Sequence, residues 1–571
     1  MEEKKLTGYP SIDKPWLKYY PEAVINSTIP ECTMYEYIRN NNMDHLDDDV
    51  MLYFGRSFKY REIFAKIDQT AAAFVQLGVK KGDIVTIQSL SLPQVIYTVY
   101  ALSKIGAVAN LIYANVGAAE AKANLVETGS RIFMVLEPMY NAMKEELADA
   151  PLDAVVVLGI QDEMPILTKV GYTFATKSKK IKAEGIVMSW SDFFALGKGK
   201  DVEICGHDRD MVIMVYTGGT TGKSKGVMLS NHNMNVGAKQ YLQLGYERHK
   251  TLLCVLPPFI AFGLTVTIHM PMSFGVKVAL CVSPNPTQIS EFVVKYHPEY
   301  IICGTAQAEN LVIALEDKKI DLSNLTFFGV GGDALSLALE NRVNDFLEKH
   351  HSKTRIIQGY AMSETSASST AAVHTIYKPG TVGIPFVHTT IKIVDPDTEK
   401  ELPYGESGEI CINAPCTMMG YYKHEEETKN VLHIHEDGKT WVHTGDIGVM
   451  DEDGFIKIVG RIKRMILTCE NDLFHKVFPK LVEDELLKTN VVQSISIVGK
   501  ANLKTTNDLI AFVVLNQGVV EEQAVEGLKE YASNHLESFE QPVRYIVMDK
   551  LPLTTVGKVD YRKLEQEAAK E

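Results

Sequence analysis

The sequence predicts an α/β protein of more than one domain: a large α/β N-terminal part and a small α+β C-terminal part. Helical and strand patterns alternate between Phe54 and Met134, as expected of a parallel sheet covered by helices. The chain is 571 residues long, whereas single cores stop growing at about 250–300 residues; at about 150 residues per unit, roughly four folding units is the prior. Beyond GFIKIVGRIKR (454–464) the rhythm changes to about three strands and two helices, which places a boundary near Ile462–Lys463.

In chain order, YREIFAKIDQTAAAFVQLGV (60–79) has helical periodicity, and Lys80-Lys81-Gly82-Asp83 turns the chain into the strand IVTIQSL. SLPQVIYTVYALSKIGA reads as a second helix, and RIFMVLE and DAVVVLGI (153–160) as further strands. Lys177, Lys179, Lys180 and Lys182 make residues 168–185 locally basic, a solvated loop or a patch for phosphate or membrane. Thr251 to Val276 carries no Asp, Glu, Lys or Arg, yet Pro257, Pro258, Gly263, Pro271 and Gly275 break any spanning helix. It reads as a buried strand plus helix. VVQSISIVGK, DLIAFVVL and VEEQAVEGLKEYASNHL follow as two strands and a helix of the small domain.

Composition narrows the function classes. A hydrophobic fraction of 46% with 23% charged residues is that of a globular protein. The net charge of 58 − 72 = −14 argues against a nucleic-acid binder, which needs a basic surface. Eight sparse cysteines without a CxxC fit neither a zinc motif nor a disulfide framework, and point to a reducing, cytoplasmic setting. The N-terminus lacks the apolar stretch of a secretory signal.

The chemistry concentrates in MVIMVYTGGTTGKSKGVMLS (211–230). An apolar strand enters a run of Gly, Thr, Ser and Lys, then leaves as another strand. Glycines admit close backbone approach, and N–H groups, hydroxyls and ammoniums converging there suit a polyphosphate. A Walker A loop would need Gly where Thr217 stands and a helix where GVMLS reads as a strand.

With this loop, the chain resembles the adenylate-forming superfamily of acyl-CoA synthetases, luciferases and nonribosomal-peptide adenylation domains. The similar segments, in order, are Gln358-Gly359-Tyr360-Ala361-Met362-Ser363-Glu364, Gly405-Glu406-Ser407-Gly408-Glu409-Ile410 with Gly420-Tyr421-Tyr422, His443-Thr444-Gly445-Asp446, Gly460-Arg461-Ile462-Lys463, and Leu551-Pro552 through Gly557-Lys558-Val559-Asp560. The resemblance spans residues 50–570. It implies a large multi-sheet N-terminal domain (1–462) that binds AMP and the acyl group, and a small mobile C-terminal domain (463–571) that carries Lys558.

It also implies an AMP-forming acyl-CoA ligase that uses ATP, Mg²⁺ and CoA as co-substrate. Thr217, Gly218, Gly219, Thr220, Thr221 and Lys225 would hold the polyphosphate, Tyr360 would stack on adenine, and Asp446 and Arg461 would contact ribose. Glu364 would hold Mg²⁺, and Lys558 would reach the carboxylate and α-phosphate. Gly331-Gly332-Asp333-Ala334-Leu335 looks like a carrier-protein attachment site, but Ala334 stands in place of serine; Gly331, Gly332 and Asp333, with Gln358 to Ser363, would line the adenine and acyl pocket. Ile260, Phe262, Val330 and Met362 suggest an apolar channel for a hydrophobic, fatty-type acid. Residues 465–486 depart from the family: Cys469-Glu470-Asn471-Asp472 replaces a Gly-rich loop, and Arg464 stands at the hinge as an exposed-type residue. Two rivals follow, an adenylating enzyme with another acyl acceptor and a catalytically dead nucleotide- or acyl-binding homologue. Peripheral membrane contact and oligomeric state stay open.

Overall fold

The computed structural model describes residues 6–176, 184–217, 224–282, 285–372, 376–471, 473–489, 491–553 and 559–570. Two large sheets dominate, as the alternating pattern predicts. One has eight strands, in the order Gly420–Tyr421, Gly226–Ser230, Met211–Tyr216, Val108–Ile112, Ile84–Gln88, Ile132–Leu136, Ala154–Leu158 and Val187–Ser189. Its strands run parallel except for Gly226–Ser230, which pairs antiparallel with both of its neighbours. The other has seven, in the order Ile356–Gln358, Phe327–Gly331, Tyr300–Gly304, Thr251–Cys254, Lys277–Leu280, Asp49–Tyr53 and Arg56–Lys59, and is parallel up to its last pair.

The helix expected at 60–79 spans Tyr60–Gln76 and buries Ile63, Phe64, Ile67 and Phe74 on one face, the i, i+3/i+4 spacing of an amphipathic helix. The second helix, Pro93–Ile105, starts on proline and ends at Gly106 with φ +75°, the left-handed residue that closes many helices. One continuous core joins both sheets and these helices.

The charge-free stretch is the strand Thr251–Cys254 followed by a broken helix: Ala261–Leu264, a π-turn at Thr265–His269, then Met270–Phe274. Among the described residues no helix is long and apolar enough to cross a membrane.

An antiparallel five-stranded sheet of Thr390–Val394, Gly408–Asn413, Thr440–Met450, Leu432–Ile434 and Ile456–Arg461 follows, with its own core around Trp16, Ile391, Ile410 and Val442. After the 3₁₀ turn Ile462–Arg464 come the hairpin Ile466–Glu470/Leu473–Val477 and the sheet of Val492–Asn502, Thr506–Leu515 and Arg544–Val547. Helices Pro479–Leu486, Glu521–His535 and Tyr561–Lys570 accompany them, and the packed residues of this segment form two cores of their own, drawn from 466–545 and 498–568.

Candidate active site

Thr217 closes the neck of the loop that sequence assigns to polyphosphate. Tyr216 pairs with Gly226 across an antiparallel hairpin, so a strand, not a helix, follows the loop. The Thr217 N–H donates to the Lys225 carbonyl at 3.0 Å, the Lys225 N–H to Thr217 Oγ1 at 3.2 Å, and the Ser224 hydroxyl to the Thr217 carbonyl at 2.7 Å. Gly218, Gly219, Thr220 and Thr221 lie outside the described residues.

The short strand Gly420–Tyr421 adds to the same hairpin, with Tyr421 opposite Val227. Lys225 Nζ then sits 4.6 Å from the centroid of the Tyr421 ring, within cation–π range. The Tyr421 hydroxyl donates to Glu364 Oε1 at 2.6 Å. Burial, with the Glu364 charge beside it, pushes the Tyr421 phenol up, so Tyr421 is a neutral donor. Lys225, Tyr421 and Glu364 are thereby one chain of contacts. Sequence reasoning quoted Tyr421 inside its motif without a role; its position one residue after Gly420 was the available signal.

Glu364 is buried and lies in the 3₁₀ turn Ser363–Thr365. The turn is held by its surroundings: the Met418 N–H donates to the Glu364 carbonyl at 2.8 Å, and the Ser366 hydroxyl to the Cys416 carbonyl at 2.9 Å. Ser366 and Ala367 take φ +49° and +58°, a left-handed conformation costly for residues with a Cβ.

The nucleotide candidates stand at the carboxyl ends of two adjacent parallel strands, where open α/β sheets bind ligands. Val330 pairs with Gln358, which sets Gly331-Gly332-Asp333 beside the segment from Gln358 to Ser363. Gly332 has φ +86°, a conformation glycine adopts without strain. Gln358 Nε2 donates to the Asp333 carbonyl at 3.0 Å, and the Thr305 hydroxyl donates to the same oxygen at 3.1 Å, while the Asp333 side chain stays exposed. Gly359 packs so close that a Cβ would lie 3.0 Å from the Thr370 carbonyl.

Thr370 clamps Tyr360 from both sides: the Tyr360 N–H donates to Thr370 Oγ1 at 3.1 Å, and the Thr370 N–H to the Tyr360 carbonyl at 2.9 Å. The Tyr360 hydroxyl donates to Asp446 Oδ2 at 2.6 Å. Asp446 Oδ1 takes Arg461 Nε at 2.8 Å, and the two residues are a cross-strand pair. Burial, then the Asp446 charge, pushes the Tyr360 phenol well up. Tyr360, Asp446 and Arg461 converge as the sequence expects; the Thr370 clamp was not foreseen.

Aromatic rings line the adjoining strand ends. A Cβ on Gly331 would meet Phe262 Cε1 at 3.3 Å. Phe259 packs edge-on against Tyr113 at 5.5 Å between centroids, and the Tyr113 hydroxyl donates to the Tyr216 carbonyl at 2.8 Å. Of the apolar residues named from sequence, Val330 is buried, and Ile260, Phe262 and Met362 are partly so, as is Ala361.

Lys558 lies outside the described residues. Leu553 and Val559 form an antiparallel bridge on either side of its segment, and Tyr561 beyond it lies within electrostatic reach of Asp333. Arg464 differs from expectation. Its Nη2 donates to Glu483 Oε1 at 2.9 Å and to the Ile497 carbonyl at 3.2 Å, and its guanidinium lies 3.5 Å from the Tyr561 ring centroid. It is a tethered residue because three partners downstream of it take Nη2 and cover its planar face. In the divergent 465–475 segment the strands Ile466–Glu470 and Leu473–Val477 pair antiparallel, and Asp472 lies outside the described residues. Glu470 pairs with Leu473, and Asn471 supplies φ +52°, so asparagine does the turning that glycine commonly does.

A model of AMP-binding enzymes matches residues 39–422, and a model of the AMP-binding enzyme C-terminal domain matches residues 481–558. A long-chain-fatty-acid–CoA ligase of Bacillus subtilis (strain 168) is 26% identical over 97% of this chain and 98% of its own length. A probable 4-coumarate–CoA ligase 1 of Dictyostelium discoideum is 27% identical over 95% and 96%. Among solved structures, the anthranilate CoA ligase AuaEII in complex with anthranoyl-AMP superposes with a TM-score of 0.80 at 18% identity, covering 94% of this chain and 98% of that one. ATP-bound MatB from Rhodopseudomonas palustris gives 0.79 at 21% identity, covering 93% and 98%.

Proposed function

The chain belongs to the AMP-binding enzyme family, and on that premise we propose that it is an AMP-forming acid–CoA ligase for a hydrophobic, fatty-type carboxylic acid. In the first step a carboxylate oxygen attacks the α-phosphorus of ATP, and the bond to pyrophosphate breaks. In the second the CoA thiolate attacks the acyl carbon of the adenylate, a C–S bond forms, and AMP leaves with the electron pair of the C–O bond. The observation that carries the reading is the convergence of two linked groups, Lys225–Tyr421–Glu364 and Tyr360–Asp446–Arg461, around strand ends lined by Phe259, Phe262 and Tyr113.

Both reactants of the first step are anionic, so the site must supply cations and fixed dipoles. Thr217, Gly218, Gly219, Thr220, Thr221 and Lys225 hold the β- and γ-phosphates, and Lys558 stabilises the charge that develops on the carboxylate and α-phosphate. Tyr360 stacks on adenine. Asp446 accepts from the ribose hydroxyls: a carboxylate has about four lone-pair sites, and Tyr360 and Arg461 use two of them. Gly331, Gly332, Asp333 and residues 358–363 border the base and the acyl group.

The donor set suits Mg²⁺. Glu364 is a hard oxygen ligand fixed by Tyr421 and by the Met418 N–H on its own carbonyl, and such oxygens are what this ion selects. When bound, the ion neutralises charge on the polyphosphate.

The working units are residues 1–462 and 463–571. In the proposed cycle the small unit turns at residues 462–464, exchanging Lys558 for the hairpin Ile466–Val477 at the acyl carbon. The named activities of the relatives, both CoA ligases, support CoA as acceptor.

The acid class rests on the aromatic wall and on the named activity of the Bacillus subtilis relative. A membrane-surface contact is favoured by one further feature. Helix Ile166–Thr176 exposes Ile166, Leu167, Val170 and Phe174, three of them above 80%, and the lysines at 177, 179, 180 and 182 follow in sequence. Apolar anchors with adjacent cations match an interfacial helix on anionic lipid. All eight cysteines are free thiols, which fits a reducing, cytoplasmic compartment.

Pyrophosphate exchange across acids of graded length, with and without CoA, tests the reading. Exchange with long apolar acids and CoA-dependent AMP release is expected; exchange with none, or thiol-independent turnover, would refute it. Lys558→Ala should lower adenylation by roughly 10²–10³ and leave thioester formation from supplied adenylate intact.

A further inference from the structure

One face of the five-stranded antiparallel sheet gathers metal-ligating side chains that the ligase reaction does not use. Side chains two apart on a strand share a face. His433 pairs with Trp441 and Cys411 pairs with His443, so Glu409, Cys411, His443 and His433 come to the same side from three strands, and His435 follows two residues after His433.

The contacts are close. His443 Nδ1 lies 2.8 Å from Glu409 Oε2, and His443 Nε2 lies 2.8 Å from His435 Nε2. The His433 and His443 rings are 4.0 Å apart between centroids, and His433 Nδ1 is 2.8 Å from Glu399 Oε1. Donor atoms of Glu399, His433 and His443 all lie within 4.8 Å of one another, as do those of Cys411, His435 and His443. Within each trio, donors spaced this way can share one ion at bond lengths of about 2.0–2.3 Å, and His443 belongs to both trios.

We propose that this face binds a divalent transition-metal ion of the zinc type, with His443 Nε2 as the shared ligand and His433, His435 and Glu399 completing the set. The two Nε2 atoms 2.8 Å apart share one proton; an ion would replace it and open the pair to about 3.3 Å, the spacing of two imidazole ligands on tetrahedral zinc. Glu409 occupies the other ring nitrogen of His443 and fixes its tautomer, the outer carboxylate that metal-bound histidines commonly have. Glu399 and His433 are partly exposed, at 44% and 30% of their side chains, which gives the ion a way in from solvent. Cys411 is buried behind His443, its thiol 3.7 Å from Nδ1, and stays outside the ligand set.

The site adjoins the nucleotide contacts without sharing residues with them. Glu409 Oε1 accepts the Gly445 N–H at 2.8 Å, one residue before Asp446. Neither of the chain's cysteine spacings nor any His-x-x-His pair announces it, because its ligands meet only through strand pairing.

The test is calorimetric titration of chelator-treated, full-length protein with Zn²⁺, and with Co²⁺ followed by its visible spectrum. Expected are one Zn²⁺ per chain and the intense visible bands of tetrahedral Co²⁺ without a strong thiolate band. Glu409→Gln should weaken binding by about 10–100-fold, the usual effect of losing an outer partner, and His433→Asn and His435→Asn should each weaken it more. Thermal melting of the metal-free variants, matched to the parent, shows that they fold. Absence of stoichiometric Zn²⁺ binding, or an affinity that survives both histidine substitutions in folded protein, would overturn the proposal. A strong thiolate-to-cobalt band would overturn the ligand set by placing Cys411 in it.

Discussion

His269 should make the large domain sensitive to mild acid, and the size of the effect follows from its surroundings. The ring lies in the π-turn of the charge-free segment, fully buried. Nδ1 is 3.0 Å from the Tyr100 hydroxyl and Nε2 is 2.9 Å from Asn235 Oδ1, so a neutral imidazole satisfies both neighbours. Burial lowers its pKa from 6.5 to about 3. Unfolded chains take up a proton near pH 6.5 while the folded state refuses it down to about 3, so stability is fully present above 6.5 and is lost progressively as pH falls towards 3. Linkage gives a loss of about 2 kcal/mol at pH 5 and about 5 kcal/mol at its full extent. His269→Gln keeps hydrogen-bonding capacity but cannot titrate. Urea unfolding of both proteins, followed by tryptophan fluorescence at pH 7.5 and at pH 5, isolates the contribution, since other groups titrate alike in both. The parent should lose about 2 kcal/mol more than the variant on acidification. The same loss in both would mean that the folded protein admits a proton at His269, and the argument from burial would fail.

Glu364→Gln should abolish Mg²⁺-dependent pyrophosphate exchange, because the amide keeps the shape but loses the charge that holds a hard cation. Tyr421→Phe should cost less, about 10–100-fold, as expected for one hydrogen bond to a charged group, and equal activity in either variant would remove that residue from the site. Lys463→Pro should suppress thioester formation while sparing adenylation, since proline fixes φ where the turn is proposed; Lys463→Ala, which leaves the backbone free to turn, is the control, and matching profiles of the two would move the pivot elsewhere. Leu167→Glu with Phe174→Glu should release the protein from vesicles of anionic phospholipid without changing adenylation of a water-soluble acid, and undiminished vesicle binding would refute the interfacial helix.

What could be read from the sequence was whatever is linear. Period-3.6 apolar spacing placed the helix at Tyr60–Gln76, and the run of apolar residues after Met211 placed the strand before the Thr217 loop. Motif residues such as Gln358 to Glu364 were legible for the same reason: their chemistry lies in neighbours along the chain. What was not legible depends on pairing. Tyr421 reaches Glu364 only because a two-residue strand docks on Gly226–Ser230. Thr370 clamps Tyr360 through a single isolated bridge, and Tyr113 joins the aromatic wall from the other sheet. The histidine face is the extreme case, since its members come from separate strands and a connecting loop. Arg464 was misread because residue type alone suggests exposure, whereas Glu483 and the Ile497 carbonyl take its Nη2 and the Tyr561 ring covers its planar face.

Those contacts of Arg464 also sharpen where a turn of the small unit can occur. Among the described residues every partner of its guanidinium lies downstream of it, so Arg464 travels with the segment it introduces. Arg461, three residues earlier, is held the other way: its side chain pairs with Asp446 and its strand with Thr440–Met450. Between these two anchors stand only Ile462 and Lys463, in a single 3₁₀ turn. Hinges are a few terminal residues of an element that absorb a large φ/ψ change, and here the anchors confine that change to two positions. The proposed ribose contact therefore stays with the large unit in both orientations, while Lys558 and the Ile466–Val477 hairpin trade places. A pivot immediately after Arg461 lets the nucleotide remain gripped by Tyr360, Asp446 and Arg461 while the chemistry at the acyl carbon changes from phosphate displacement to thiol attack.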